Sequence, residues 1–413
     1  QVAFLQYTSG STGNPKGVMI THSNLTHNLS TIVATYAPPA TPKDICLSWL
    51  PQYHDLGLMG AILAPIHAGC SSILFSPLSF LRDPLLWMSI ASKYKATISA
   101  APSFALQLCV KRLTTKISPS FDLSSLRHIL LGGEPVQIPH MDDFSTAFRP
   151  HGFRGNTALR PGFGLAEHTL FVAIHGSLRV RVDRVLLEQE KRVVVLWEGL
   201  LAPGEEEGLV ELQPHDEISI LLPSLGYVRQ NPSIKICIVD PETCVEVSEG
   251  SVGEVWIDSP SKATGYWEKL EISEETFRAE LQCAGGGGGS YLRTGDLGFV
   301  HGGEIFVCGR IKDLIIIRGR NIYPQDVEGV AVQQDPRLRP GCCAAFAVLP
   351  GDVAALAGEE GEGIPTTRDS TERLIVVAEV RDPTLPSPDL QAAADSLRAR
   401  VRRQLSISPW AVV

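Results

Sequence analysis

The feature that most constrains the fold of this chain is a repeated order of segments between about residues 45 and 135. A short apolar strand is followed by a polar loop and then by a helical segment: "ICLSWLP" precedes "QYHDLG", "ATISA" precedes "APS", and "RHILL" precedes "GGEPV". Such alternation predicts a parallel, doubly wound α/β sheet. Ligands of these sheets bind outside the carboxyl ends of the strands, where the unusual residues of this chain are found. The alternation therefore predicts one shared crevice.

A segment rich in glycine and hydroxyl residues, "YTSGSTGNPKG", lies upstream at residues 7–17. Small residues leave backbone N–H groups able to converge on an anion, and Lys16 adds a positive charge. The segment is not a Walker loop, because its lysine stands between Pro15 and Gly17. We interpret it as a phosphate-binding loop, with an ordinary flexible surface turn as the alternative.

Length and composition limit the classes of partner. A chain of 413 residues exceeds what one core usually supports, so two or three domains are expected. The net charge of -9 disfavours nonspecific binding to nucleic acid or to an anionic membrane, and we expect no nucleic-acid partner. The nine cysteines form no Cys-x-x-Cys pair, which disfavours a zinc site and favours a reducing, cytoplasmic compartment. The apolar run Leu56–Ala68 is too short for a membrane span.

Changes in sequence texture predict three regions. Residues 1–175 form the α/β part of a large domain, and residues 176–311, with short apolar runs such as "SIKICIVD" and "GEVWID", form its β-rich subdomain. Residues 312–413 combine two apolar strands with the helix "DLQAAADSLRARVRRQL" and form a small C-terminal α+β domain. The chain opens at Gln1 inside a motif, so we expect a fragment whose targeting signal cannot be judged.

Two loops at predicted strand ends carry candidate site residues. His54 and Asp55 precede a helix, where a positive dipole end can meet substrate; the alternative is a helix N-cap by Asp55. In "FGLAEH", the ring of Phe163 can stack on a base and the carboxylate of Glu167 can hold Mg²⁺. A core phenylalanine and a surface glutamate are the alternatives for that pair.

Two later segments carry further candidates. Asp296 in "YLRTGDLG" lies in a glycine-flanked turn, where a carboxylate can accept hydrogen bonds from vicinal ribose hydroxyls; a structural turn is the alternative. Arg310 and Lys312 in "GRIKD" stand where the pattern of apolar and polar residues changes, which suits a linker as well as a charged site.

The order of these motifs resembles the adenylate-forming superfamily of acyl-CoA synthetases and adenylation domains. The motifs are "YTSGSTGNPKG", "YHDLG", "GFGLAE", "YLRTGDLG" and "GRIKDLIIIRGRNIYP". Within the superfamily, "SWLPQYHDLGLMG", "SPLSFLRDPLLWM", "GLAEHTL" and "GRNIYPQDVE" most resemble the fatty-acyl-AMP ligases. The resemblance covers nearly the whole chain and implies the adenylate-forming ligase fold, in an incomplete form.

The resemblance also assigns roles to residues. Lys16 and a run of small residues would bind the triphosphate: Thr8, Ser9, Gly10, Ser11, Thr12 and Gly13. The adenine would be walled and stacked by Gly132, Gly133, Glu134, Pro135, Phe163 and Gly164. Glu167 would bind Mg²⁺, and Asp296 and Arg310 would hold the ribose. His54 would line the acyl and α-phosphate region, and Lys312 would be the hinge of the small domain.

The implied reaction is the activation of a fatty acid by ATP, with Mg²⁺, to fatty acyl-AMP and pyrophosphate. The acyl group would pass to the phosphopantetheine of an acyl carrier protein, often beside a polyketide synthase module. An acyl-CoA synthetase is the alternative enzyme, and a nucleotide- or acyl-binding module without turnover is the alternative of another class. Residues 177–200 match a segment that restrains domain rotation in the family, with an amphipathic structural helix as the alternative.

Two departures from the family pattern bear on activity. Phe163 stands where the family usually has tyrosine, which preserves stacking and removes a hydroxyl. The family's adenylation lysine follows a strand that matches "PWAVV", whereas this chain ends at Val413, and the family's N-terminal part before the phosphate loop is absent too. From the sequence we therefore expect this chain to bind ATP and to adenylate poorly.

Overall fold

The computed structural model describes eleven stretches of the chain: residues 1–8, 15–36, 40–115, 120–202, 219–229, 231–282, 289–317, 320–331, 335–348, 372–405 and 407–413. These form two compact units. Unit 1 holds the described residues of Gln1–Asp183, Val193–Leu212 and Ile220–Cys308, and unit 2 holds those of Arg184–Arg192, Gln213–Ser219 and Gly309–Val413.

The strands of the described residues follow in chain order. They are β1 (Val2–Thr8), β2 (Lys16–Thr21), β3 (Ile45–Ser48), β4 (Ser71–Leu74), β5 (Ile98–Ala101), β6 (His128–Leu131), β7 (Leu159–Gly164), β8 (Phe171–Ile174), β9 (Leu178–Asp183), β10 (Val195–Leu200), β11 (Ser219–Pro223), β12 (Gly226–Tyr227), β13 (Lys235–Val239), β14 (Gly253–Asp258), β15 (Leu292–His301), β16 (Glu304–Arg310), β17 (Ile315–Ile317), β18 (Arg320–Ile322), β19 (Leu338–Val348), β20 (Arg373–Val380) and β21 (Ala411–Val412).

The α-helices of the same stretches are α1 (His22–Thr35), α2 (Ala64–Ala68), α3 (Pro77–Arg82), α4 (Leu85–Tyr94), α5 (Ser103–Thr115), α6 (Ile138–Phe148), α7 (Arg184–Gln189), α8 (Leu270–Phe277), α9 (Pro324–Ala331) and α10 (Ser387–Leu405). A π-helix, Leu56–Leu63, runs directly into α2. None of the helices in the described part of the chain combines the length and apolar character that crossing a bilayer requires.

The largest sheet of unit 1 has the strand order β4-β3-β5-β6-β7-β8. Its first five strands are parallel and β8 is antiparallel to β7. All four residues of β5, Ile98–Ala101, are buried, which is typical of a parallel sheet that is covered on both faces. This sheet confirms the parallel arrangement predicted from the alternation of strands and helices.

The two faces of this sheet pack against different groups of helices. Ala101 and Leu131 join a core that includes Trp87 of α4 and Phe144 of α6. Ala100, the neighbour of Ala101, joins a second core that includes residues of α1 and the π-helix. Since successive side chains of a strand point to opposite faces, the sheet has helices on both sides. The predicted doubly wound architecture is therefore confirmed.

A β-rich part of unit 1 contains the five-stranded sheet β12-β16-β15-β14-β13. Its pairs β13–β14 and β14–β15 are antiparallel. The short apolar runs between glycines, prolines and acidic residues thus form strands, as the sequence predicts. The separate hairpin of β1 and β2 is also antiparallel and pairs Thr8 with Lys16.

Unit 2 contains the sheet β19-β20-β21 together with α9 and α10. Helix α10 buries Ala393, Leu397, Val401 and Leu405, a strict four-residue spacing that forms one apolar stripe. This stripe packs in a core with Leu374 and other residues of the unit. The predicted small α+β fold is confirmed here. The domain boundaries predicted at residues 175 and 311 remain predictions. The two compact units divide the chain at other positions.

Residues 177–200 form β9, α7 and β10 rather than one amphipathic helix. Strands β9 and β10 pair with each other in unit 1, whereas α7 belongs to unit 2. The helical alternative therefore applies only to Arg184–Gln189. A role of this segment in restraining domain rotation remains a prediction.

Candidate functional site

The β1–β2 hairpin positions the only lysine of the predicted phosphate loop. Thr8 and Lys16 are register partners at the end of the hairpin next to the loop, so both ends of the loop are fixed by strand pairing. The Lys16 ammonium lies 4.8 Å from the ring centroid of Tyr266, within cation–π range. Ser9, Gly10, Ser11, Thr12 and Gly13 lie outside the described residues, so their predicted phosphate contacts stay predictions.

Glu167 lies on a 3-10 turn, Ala166–His168, that follows β7. Its neighbour His168 is fully buried, with Nδ1 2.7 Å from the carbonyl oxygen of Phe171 and Nε2 2.5 Å from Oγ of Ser259. A carbonyl can only accept, so Nδ1 carries the proton and Nε2 accepts from the serine. Burial lowers the pKa of His168 to about 4, which keeps the ring neutral. The turn that carries Glu167 is therefore anchored by a neutral histidine.

Tyr266 connects these two parts of the site. Its hydroxyl donates a hydrogen bond of 2.8 Å to Oε1 of Glu167, while Lys16 lies over its ring. The tyrosine is only 5% exposed. Tyr266 therefore brings together the predicted phosphate lysine and the predicted metal carboxylate. Sequence reasoning missed this residue, although the glycine-flanked aromatic pair "GYW" could have drawn attention to it.

The predicted adenine-binding segments lie at the carboxyl ends of two adjacent strands. Gly132, Gly133, Glu134 and Pro135 follow β6, and Phe163 and Gly164 end β7. Since β6 and β7 are parallel neighbours, the two segments lie side by side at one edge of the sheet. A Cβ at Gly164 would lie 2.2 Å from the carbonyl oxygen of Leu170, so the strand can pass there only as glycine. Phe163 is half-buried and packs on the core of the β-rich part.

The loop that carries His54 joins the same edge from β3. Asp55 caps the π-helix through a hydrogen bond of 2.6 Å from the Leu56 N–H to Oδ1, which confirms the structural alternative for Asp55. His54 Nδ1 lies 2.7 Å from the same carboxylate oxygen, and its side chain is 55% exposed. The hydrogen bond with Asp55 raises the pKa of His54. The imidazole is exposed to solvent, and its predicted place in the acyl and α-phosphate region stays a prediction.

Asp296 and the "GRIKD" residues occupy different units. Asp296 is 4% exposed on β15 of unit 1, and its N–H donates to Oγ1 of Thr294 at 3.0 Å. Gly295 before it has φ of +73°, a left-handed conformation that favours glycine. Arg310 ends β16 and is exposed, and Lys312 lies on the following 3-10 turn; both belong to unit 2. Roles of Asp296 and Arg310 at a ribose stay predictions.

The predicted metal site fits a Mg²⁺ ion that is held by a single protein carboxylate. No group of three or more His, Cys, Asp and Glu side chains that could hold a metal occurs in the described stretches. Mg²⁺ commonly takes one or two protein carboxylates and completes its shell with substrate phosphate oxygens and water. A single carboxylate at Glu167, oriented by Tyr266, fits that pattern.

The chain resembles one protein family and several individual proteins. The family described as AMP-binding enzyme matches residues 1–267. The chain is 38% identical over 416 aligned residues to the medium-chain-fatty-acid–[acyl-carrier-protein] ligase JamA of Moorena producens, covering 100% of this chain and 64% of that protein. It is 35% identical to the long-chain-fatty-acid–AMP ligase FadD26 of Mycobacterium marinum, covering 98% and 64%. The chain thus spans about 64% of the length of these relatives.

Solved structures agree with the sequence relatives. The fatty acyl-adenylate ligase of Legionella pneumophila, solved with acyl adenylate and pyrophosphate, is 35% identical and superposes with a TM-score of 0.67. The alignment covers 99% of this chain and 65% of that one. This similarity confirms the fold predicted from the motif order.

Proposed function

The chain belongs to the AMP-binding enzyme family, and from this premise we propose that the whole protein activates fatty acids as acyl adenylates. A carboxylate oxygen of the fatty acid would attack the α-phosphorus of ATP. The new bond is a mixed carboxylic–phosphoric anhydride, the bond that breaks joins the α-phosphorus to the bridging oxygen, and pyrophosphate leaves. The names of the fatty-acid–AMP ligase relatives support fatty acids as the substrate class.

The observation that carries this proposal is the connection of Lys16 and Glu167 through Tyr266. Both reactants are anions, so catalysis depends on positioning and on positive charge beside the phosphate oxygens. Lys16 would supply one such charge at the departing phosphates. Glu167 would hold Mg²⁺, which when bound neutralises charge on the phosphate oxygens. Losing one preorganised electrostatic group of this kind typically costs about 3 kcal/mol, or roughly a hundredfold in rate.

The remaining predicted residues would bind and orient the nucleotide. The loop Gly132–Pro135 would wall the adenine, with Phe163 stacked on it and Gly164 allowing close approach. Asp296 would hold the ribose, and His54 would line the acyl and α-phosphate region. Lys312 would serve as the hinge of the small domain. Since the reaction consumes ATP, we expect the protein in the cytoplasm.

The acceptor in this proposal is the phosphopantetheine thiol of an acyl carrier protein. JamA and TtuA, two similar proteins, are named as acyl-carrier-protein ligases, which supports this choice over coenzyme A. The carrier would stand alone or within a polyketide synthase module. The same adenylation motifs occur in acyl-CoA synthetases, so the acceptor must be tested directly.

The test supplies the whole protein with ATP, Mg²⁺ and dodecanoate, together with holo carrier protein, apo carrier protein or coenzyme A. We expect acyl-AMP without an acceptor, acylation of the holo carrier protein only, and little acyl-CoA. The apo carrier protein is the matched control, because it lacks only the thiol arm. Rapid acyl-CoA formation would identify an acyl-CoA synthetase instead. ATP binding without any acyl-AMP would identify a binding module.

A further inference from the structure

The segment that carries Tyr266 is fixed on two sides by backbone hydrogen bonds. The Met19 N–H donates to the Gly265 carbonyl at 2.9 Å, and the Trp267 N–H donates to the Gly17 carbonyl at 2.8 Å. Val18 and Tyr266 form an antiparallel bridge between these two bonds. The tyrosine thus extends the hairpin that carries Lys16. Its position relative to the phosphate-loop lysine is set by the main chain.

The same segment is attached to the turn that carries Glu167. The Ala263 N–H donates to the Glu167 carbonyl at 2.9 Å, and the hydroxyl of Thr169 donates to the Ser261 carbonyl at 2.8 Å. The Tyr266 hydroxyl then fixes the Glu167 carboxylate itself, at 2.8 Å. Three separate bonds therefore hold the carboxylate and its turn against residues 261–266.

The electrostatics of this arrangement favour a neutral tyrosine that donates strongly. A tyrosine hydroxyl carries its proton at neutral pH, so it is the donor of the 2.8 Å hydrogen bond to Glu167. The Lys16 ammonium over the ring face draws electron density from the ring, which strengthens a donor on that ring. A hydrogen bond to one carboxylate oxygen restricts the rotation of the carboxylate and leaves its other oxygen open to a ligand. Both effects prepare Glu167 to meet a cation in one orientation.

We propose that Tyr266 is the positioning residue that orients the Glu167 carboxylate toward a nucleotide-bound divalent cation and couples it to Lys16. The proposal rests on the proposed function, since it requires that the site bind ATP with Mg²⁺. It does not place Tyr266 in contact with substrate. Tyr266 acts through the Glu167 carboxylate. Its hydroxyl should therefore contribute only to the part of the ATP affinity that depends on the divalent cation.

The test measures ATP affinity by calorimetry, with MgCl₂ or with EDTA, for the wild-type protein and for Tyr266→Phe. The phenylalanine keeps the ring under Lys16 and removes only the hydroxyl. We expect the gain in affinity on adding Mg²⁺ to fall roughly tenfold, the size of a lost hydrogen bond to a charged group. Affinity in EDTA should change less than about twofold. Tyr291→Phe, the same deletion at another buried tyrosine of unit 1 that is 6% exposed, should match the wild type in both conditions.

A Glu167→Ala background separates positioning from general loss of structure. If Tyr266 acts through the carboxylate, Tyr266→Phe should have no further effect on ATP affinity once Glu167 is absent. The proposal would be overturned if Mg²⁺ raised the ATP affinity of the wild type and of Tyr266→Phe by the same factor. It would also be overturned if Tyr266→Phe weakened ATP binding equally with Mg²⁺ and with EDTA. Absence of ATP binding by the wild type would overturn the proposed function as well. Wild-type binding with an unaffected Tyr266→Phe would overturn this inference alone.

Discussion

Oε1 of Glu134 accepts a hydrogen bond of 2.7 Å from the backbone N–H of Phe104. Phe104 lies in the first turn of α5, which follows β5, whereas Glu134 lies in the loop after β6. The bond therefore ties together the loops at two neighbouring strand ends and satisfies a helix N–H that has no partner within the helix. It gives the predicted adenine-binding loop a fixed attachment to the sheet edge.

Replacing this acceptor should cost stability. Glu134→Ala leaves the helix N–H without its acceptor, and we expect the free energy of unfolding to fall by about 1 kcal/mol. Glu134→Gln keeps an acceptor oxygen on a side chain of the same length. The free energy of unfolding of this variant should therefore lie within about 0.5 kcal/mol of the wild type. Urea denaturation of the three proteins measures the difference. Equal losses in both variants would show that the carboxylate charge, and not the acceptor, is what matters.

Two glycines of the π-helix should respond in opposite ways to alanine. A Cβ at Gly57 would lie 2.2 Å from the Pro51 carbonyl oxygen, so Gly57→Ala should lower the free energy of unfolding by roughly 1–3 kcal/mol. At Gly60 the nearest atom would be 3.6 Å away, at Cδ1 of Leu56. Gly60→Ala should therefore be neutral or stabilise by up to about 1 kcal/mol. Thermal unfolding of the pair checks this, and similar changes in both would contradict the described close approach.

Asp296 should contribute to nucleotide affinity if its carboxylate holds the ribose. Asp296→Asn keeps the shape and removes the charge, so we expect ATP binding to weaken by about 1.5–3 kcal/mol through lost charge-assisted hydrogen bonds. Asp258→Asn is the control, because Asp258 lies in the same unit and pairs with Lys262 at 3.5 Å. Calorimetry with MgATP measures both. Unchanged affinity in a folded Asp296→Asn protein would remove Asp296 from the ribose site.

Glu188 of α7 should make unit 2 less stable as the pH rises. Burial, followed by the charge of Asp326, raises the pKa of Glu188 to about 8 from its ordinary 4.5. Because the folded state holds this proton more tightly than the unfolded state, the contribution is full below about pH 4.5 and is lost as the pH rises to about 8. Glu188→Gln mimics the protonated acid. It should be more stable than the wild type at pH 8 by on the order of 1 kcal/mol or more, and nearly equal to it at about pH 4.

The control for this prediction is a glutamate two positions along the chain. Glu190 is 56% exposed and lies 3.2 Å from Arg192, a pair of the kind that contributes little to stability. Glu190→Gln should therefore show no such pH dependence in urea denaturation. A Glu188→Gln protein whose stability follows the wild type at both pH values would show that Glu188 is ionised when folded.

The architecture could be predicted from the sequence because its signals are local. Strands such as Ile98–Ala101 are short, apolar and followed by polar loops, and strand ends of a parallel sheet share one edge. The positions of Gly132–Pro135 and of Phe163 at neighbouring strand ends follow from that rule alone. The assignment of particular ligands to them required the resemblance to a known family.

What the sequence did not predict depends on contacts between distant residues. Tyr266 is 99 residues from Glu167 along the chain and 250 from Lys16, so no local pattern links the three. The π-helix at Leu56–Leu63 reads as an ordinary apolar helix, because the spacing of its apolar residues does not distinguish the two forms. The membership of α7 in unit 2 depends likewise on packing, including the hydrogen bond from Asn321 Nδ2 to the Glu188 carbonyl at 2.9 Å.

In the proposed function Lys16 and Glu167 serve the adenylation of a fatty acid, and the exchange of labelled pyrophosphate into ATP measures that step. The whole protein should catalyse exchange only when a fatty acid such as dodecanoate is present. Glu167→Gln should slow the exchange roughly a hundredfold, and Glu190→Gln should not change it. Exchange that does not require a fatty acid would rule out the proposed substrate class, and exchange that survives the loss of the Glu167 carboxylate would rule out the role proposed for Glu167.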